Sequence, residues 1–109
     1  MKIHVEVFIA SRLLSQRQET FTPEELREEI RKRFGDTRPG VSAHISSHCV
    51  ANAPRSAGTV YNYLWRIDQG RLRIFHPGRD VPHPSRTDAH VVPNREDVPS
   101  QYHDLMPPD

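Results

Sequence analysis

The segment Phe21-Thr22-Pro23-Glu24-Glu25-Leu26 constrains the fold more than any other part of the chain. A helix begins with backbone N–H groups that lack partners, and a threonine at the cap accepts from one of them. Proline suits the first helical position because no N–H is needed there. Glu25, three residues after Thr22, reaches back to the cap's own N–H, and Phe21 staples onto Leu26 from outside the helix. Leu26, Ile30 and Phe34 recur at i, i+4 and i+8 among charged residues, and Gly35 ends the run as a C-terminal cap. The pattern predicts a helix over Pro23–Phe34.

Residues 3–18 carry two periods at once. Ile3, Val5, Val7 and Ile9 alternate as in a strand, while Ile3, Val7, Ala10 and Leu14 recur at helical spacing, widened by Leu13. The polar run Ser15–Glu19 continues a helix more easily than a strand, so this segment is read as a first helix. After the turn Asp36–Gly40, Pro39 opens a third helix, read as Pro39–Val50, with Val41, Ile45 and Cys49 on one stripe. Two amphipathic helices joined by a short turn form a helix-turn-helix. Ala51–Thr59 reads as a loop. The runs Val60–Ile67 and Arg71–His76 then flank Asp68-Gln69-Gly70 as a hairpin. A two-residue Gln69-Gly70 turn places Ile67 opposite Leu72 and Trp65 opposite Ile74. Tyr63, Trp65, Ile67, Leu72 and Ile74 would then share the inward face, with Leu64, Arg66, Arg71, Arg73 and Phe75 behind them. A slip of one residue exchanges the two faces.

Seven of the ten prolines follow His76, where neither period persists apart from one turn near Gln101–Met106. The expected fold is therefore α+β, mainly α: a winged helix of three helices plus a C-terminal β-hairpin wing over residues 1–78. Residues 79–109 would form an extended, acidic, Pro-rich tail that packs over the domain in places, docks on a partner or stays disordered. With 35% apolar residues the core must be small.

Three runs also carry a family resemblance: Phe21–Leu26, Arg38–Asn52 and Gly70–Phe75. Together they resemble a group of prokaryotic winged-helix modules found beside or fused to restriction-type endonucleases. The likeness spans roughly residues 3–80 and is most specific in its middle run. It implies a DNA-recognition or targeting module in restriction or phage defence, one that senses base modification in some settings, with cleavage supplied by a partner nuclease.

Charge supports an anionic partner. Residues 1–76 hold 12 Lys/Arg against 8 Asp/Glu, and residues 77–109 hold 3 against 6, so a net +4 body and a net −3 tail give the overall +1. A mildly basic soluble surface is the plainer reading. Double-stranded DNA is the expected partner. Ser42, His44, Ser46 and Ser47 give the third helix a short polar face suited to a major groove, and Arg38 stands at its start for a phosphate or a guanine. Arg71 and Arg73 alternate on the wing and share a face with Arg66, a spacing that can straddle phosphates, and Arg55 lies in the loop before it. The alternatives are a solvated polar helix face and arginines that only keep a sheet soluble.

Other constellations point inward. His44, His48 and Cys49 have metal-ligand chemistry but no second cysteine, with His48 and Cys49 read as core and His44 as pointing away. Trp65 and Tyr63, which with Tyr61 could cage a base, are read as core aromatics. Glu24, Glu25, Glu28 and Glu29 read as an exposed helix face, and no nucleophile elbow or phosphate loop is present, so no enzymatic activity and no cofactor are expected. A single cysteine, no apolar run of membrane length and an N-terminal stretch broken by Glu6 and Arg12 suggest the cytoplasm. The rival function is a protein-interaction or dimerisation module that uses the winged helix and the Pro-rich tail.

Overall fold

A computed structural model describes residues 1–35, 38–55, 58–68 and 70–107. The expected turn residues Asp36, Thr37 and Gln69 lie outside the described residues. The architecture is α+β and mainly helical: α1 (Ile3–Ser15), α2 (Pro23–Phe34), α3 (Pro39–Ala43) running into a π-helical turn (His44–His48), and a two-stranded antiparallel hairpin of β1 (Leu64–Asp68) and β2 (Arg71–Ile74). Among the described residues no helix is long and apolar enough to cross a membrane.

The capping box of α2 forms as its sequence dictates. Thr22 Oγ1 accepts from Glu25 N–H at 3.1 Å, and Glu25 Oε1 accepts from Thr22 N–H at 2.8 Å. Phe21 and Leu26 are both fully buried. Gly35 closes the helix with φ +98°, where a side chain would be strained. Phe21 also exchanges two backbone hydrogen bonds with Leu72, at 2.9 and 2.8 Å, so a one-residue antiparallel bridge ties the α1–α2 connector to the two-stranded hairpin. One acidic residue of α2 departs from expectation. Glu29 is buried rather than exposed, held by Arg17 at 2.9 Å and Arg33 at 2.5 Å. Burial would raise its pKa, but these two charge-assisted bonds outweigh it and hold the carboxyl below its usual value.

The hairpin keeps the expected register at Asp68–Arg71 and is one residue off it beyond a bulge. Leu64 pairs with Ile74, Trp65 with Arg73, Arg66 with Leu72 and Asp68 with Arg71, which leaves Ile67 unpaired in a bulge. The cause is burial. Leu64 and Leu72 are both core residues, and an unbulged ladder would put them on opposite faces. Asn52 pins the new register by donating to Arg66 O at 2.7 Å and accepting from Arg66 N–H at 2.9 Å. Trp65 is consequently half-buried on the outer face, over Phe75 and under the Arg73 guanidinium, instead of in the core. Ile67 turns outward as well. Tyr63 is buried as expected.

The proline-rich segment is built into the body. Val98 belongs to the core, and Val92, Tyr102, Leu105 and Met106 pack against it. Arg86 is fully buried, and its guanidinium reaches four carbonyls: Ala53 O at 2.6 Å, Tyr61 O at 3.1 Å, His48 O at 3.3 Å and Ser47 O. A helix leaves its last carbonyls short of partners, and here Ser47 O and His48 O accept from Val50 and Tyr61 N–H as well as from the Arg86 side chain. Helix 3 ends early as well as irregularly. Its final regular bond runs from Cys49 N–H to His44 O at 2.9 Å, the i to i−5 pattern of a π turn.

Replacing Arg86 by methionine keeps much of the volume but strands buried carbonyls, at roughly 1–3 kcal/mol for each group left unpaired. Urea unfolding should therefore show Arg86→Met destabilised by at least about 3 kcal/mol. A chain ended at Gly78 should lack a cooperative transition.

Candidate nucleic-acid interface

Helix 3 presents Ser42, Ala43 and Ser46 to solvent while Val41, Ile45 and Cys49 face the core. Proline starts the helix, and Gly40 lets it lie close to α1, since a Cβ there would meet Ile3 Cδ1 at 2.8 Å. The exposed face is short and polar because Ser46 and Ser47 turn their hydroxyls back to Ala43 O, at 3.4 and 3.3 Å.

Two arginines flank this face. Arg27, from α2, lies 3.4 Å from Ser42 Oγ. Arg66, from β1, donates to Ser46 O at 2.5 Å. The first was missed in the sequence because α2 reads as a helix of mixed charges, and nothing local says which of its cations faces helix 3. Arg66 arrives there because the bulge places it with Leu72 and away from Arg71 and Arg73.

The other predicted contacts are distributed differently. Arg38 stands at the start of helix 3 but pairs with the buried Glu6 at 2.7 Å, leaving its side chain 46% exposed. Arg71 is tied to Thr20, with Nε 3.0 Å from its hydroxyl. Arg73 is clamped by Asp80 through two bonds of 2.8 and 2.9 Å, and the same carboxylate accepts from His76 N–H. Hydrogen bonding to Arg73 is the chief reason that the Asp80 pKa falls to about 2. Arg55 holds the tail, binding Ser85 O, Gly58 O and Asp88. The wing does not assemble three arginines on one face, and Arg73 and Arg55 serve intramolecular contacts.

The histidines also differ from expectation. His48, read as core, is only half-buried, and its ring lies edge to face with that of His44 at 4.8 Å, while His44 Nδ1 is 2.8 Å from Gly40 O. Cys49 is buried, and desolvation raises its pKa far out of the reactive range. Among the described residues no group of three or more His, Cys, Asp or Glu could hold a metal ion. The tyrosines serve a different site from the proposed cage. His4 stacks on Tyr61 at 4.0 Å and meets the Tyr63 hydroxyl at 3.0 Å, beside a cavity of about 130 Å³ that His90 and Asp97 also line. Comparison of the chain with protein-family models, curated proteins and solved structures finds no match.

Burial is the main cause that lowers the His4 pKa from 6.5 to about 4, and it lowers His48 too. The unfolded chain therefore takes up these protons first, so acidification from about pH 6.5 towards 4 costs stability. Denaturant midpoints measured across that range should fall with pH, and His4→Phe should flatten the decline. A midpoint constant from pH 7 to 4.5 would contradict the half-buried, neutral state of His4.

Proposed function

We propose that this protein is a DNA-binding winged-helix module that docks helix 3 in the major groove of a duplex. The element order supports the winged helix, and so does the Phe21–Leu72 pairing, which joins the α1–α2 connector to the hairpin as that fold requires. The observation that carries the function is the placement of Arg27 and Arg66 on either side of Ser42, Ala43 and Ser46. Small residues let a helix approach base edges, and cations at its flanks meet the phosphates of the two strands. The exposed portion of Arg38 adds a third cation at the helix start. No catalytic group is part of this reading. The resemblance of three runs of the sequence to modules beside restriction-type endonucleases suggests a nuclease as the protein partner and sensing of a modified base as the specificity. A docking role for the tail has less support, because Arg86 and Val98 commit that segment to the core.

Fluorescence polarisation with labelled duplexes tests the proposal. Binding should weaken steeply between 50 and 200 mM salt, because each phosphate contact releases counterions. Arg27→Ala/Arg66→Ala should weaken binding to all sequences alike and reduce the salt slope by about 2. Arg73→Ala should lower stability but leave the salt slope unchanged. Unmodified, adenine-methylated and cytosine-methylated duplexes compared side by side report on modification sensing. Undetectable binding to every duplex at low salt sinks the proposal.

A further inference from the structure

The bulge in β1 does more than align Leu64 with Leu72. It removes Ile67 from the ladder and leaves this large apolar side chain 43% exposed. A lone exposed isoleucine is unremarkable by itself. The placement of this one is specific. Arg66, next to it in the chain, is bound to the Ser46 carbonyl of helix 3, so the backbone of Ile67 follows one residue after an anchor on that helix. Arg71 lies across the hairpin, exposed, with its backbone fixed by pairing to Asp68 and its side chain held against Thr20. The end of the hairpin therefore carries an exposed apolar residue flanked along the chain by two anchored cations, Arg66 towards helix 3 and Arg71 towards Thr20. Asp68 is the acidic residue at this tip.

From this arrangement we infer that Ile67 is an apolar wedge that enters the minor groove of bound duplex and opens one base step. The inference rests on the DNA-binding reading above and adds a specificity determinant to it. With helix 3 in a major groove, the hairpin tip meets the adjacent minor groove. Cations there hold the backbones, while an apolar side chain gains by leaving water only if it reaches the stacked bases. Partial unstacking kinks the duplex and is easiest at flexible pyrimidine–purine steps, so preference for such a step would arise without any hydrogen bond to a base edge. Asn52 supports the device by holding both backbone polar groups of Arg66, so the bulge keeps its shape when the side chain is changed.

The experiment uses the full chain and a 20-base-pair duplex with a central TpA step and a donor and acceptor dye at its ends. Wild-type protein should bind and raise energy transfer, reporting a bent duplex. Ile67→Ala should bind with the same salt slope, bend the duplex little and lose about tenfold in affinity. Ile67→Leu should retain the bend. On a duplex with a mismatch at the central step, where stacking is already disrupted, wild type and Ile67→Ala should bind equally. Unfolding of Ile67→Ala should match wild type, because the side chain lies outside the core. Binding by wild type without bending, or an alanine variant that bends as fully, overturns the wedge and leaves the DNA-binding reading intact. Absence of binding to any duplex overturns both.

Discussion

A guanidinium removed from water must be surrounded by acceptors, and the fold is arranged around one such group. Among the described residues no carboxylate pairs with Arg86, so backbone carbonyls alone compensate it. They come from the end of helix 3 (Ser47 and His48), from the loop after it (Ala53) and from the approach to β1 (Tyr61). One side chain thus fixes where helix 3 stops, where the hairpin starts and where the tail crosses them. Its own carbonyl accepts from Asn62 Nδ2 at 3.2 Å, which closes the arrangement from the other side. The geometry of the proposed recognition helix depends on a residue that lies far along the chain, in the segment with the least regular structure.

The same accounting changes the meaning of the basic body. Arg17 and Arg33 neutralise buried Glu29, Arg38 reaches buried Glu6, and Arg73 is held by Asp80. These cations stabilise the fold by compensating carboxylates that burial would otherwise penalise. Charge counted along a sequence cannot separate such internal pairs from cations offered to a partner. Arg27, Arg66 and Arg71 differ from these in that they donate to a hydroxyl or a backbone carbonyl. Neither is a charge that a phosphate would have to displace.

Local signals were legible where the chemistry is local. Thr22, Pro23, Glu25 and Gly35 act through their own backbone neighbours, and α2 begins and ends where they place it. The double period of residues 3–14 has a tertiary explanation. Alpha-1 is buried nearly all round, from Val5 to Ser11, with the helices and hairpin covering part of it and the Pro-rich segment the rest. A helix wrapped in this way loses the one-sided stripe that separates helix from strand. Arg38, Ser42, Ser46 and Arg66, singled out by residue type and spacing, lie on or beside helix 3; Arg27 and Asn52 were not singled out, because their partners lie in other elements.

The sequence by itself determined the order of the elements, the caps of α2, the start of helix 3 and the presence of the hairpin, whose first strand begins at Leu64 rather than Val60. Each follows from interactions within a few residues. The tertiary structure alone decided the register of the hairpin, the π turn that ends helix 3, the burial of Arg86 and the choice of which arginines remain at the surface. These outcomes turn on which apolar faces must meet and which charges must be paired. A single core satisfies both demands together, and sites as distant as Ser47 and Arg86 contribute to it.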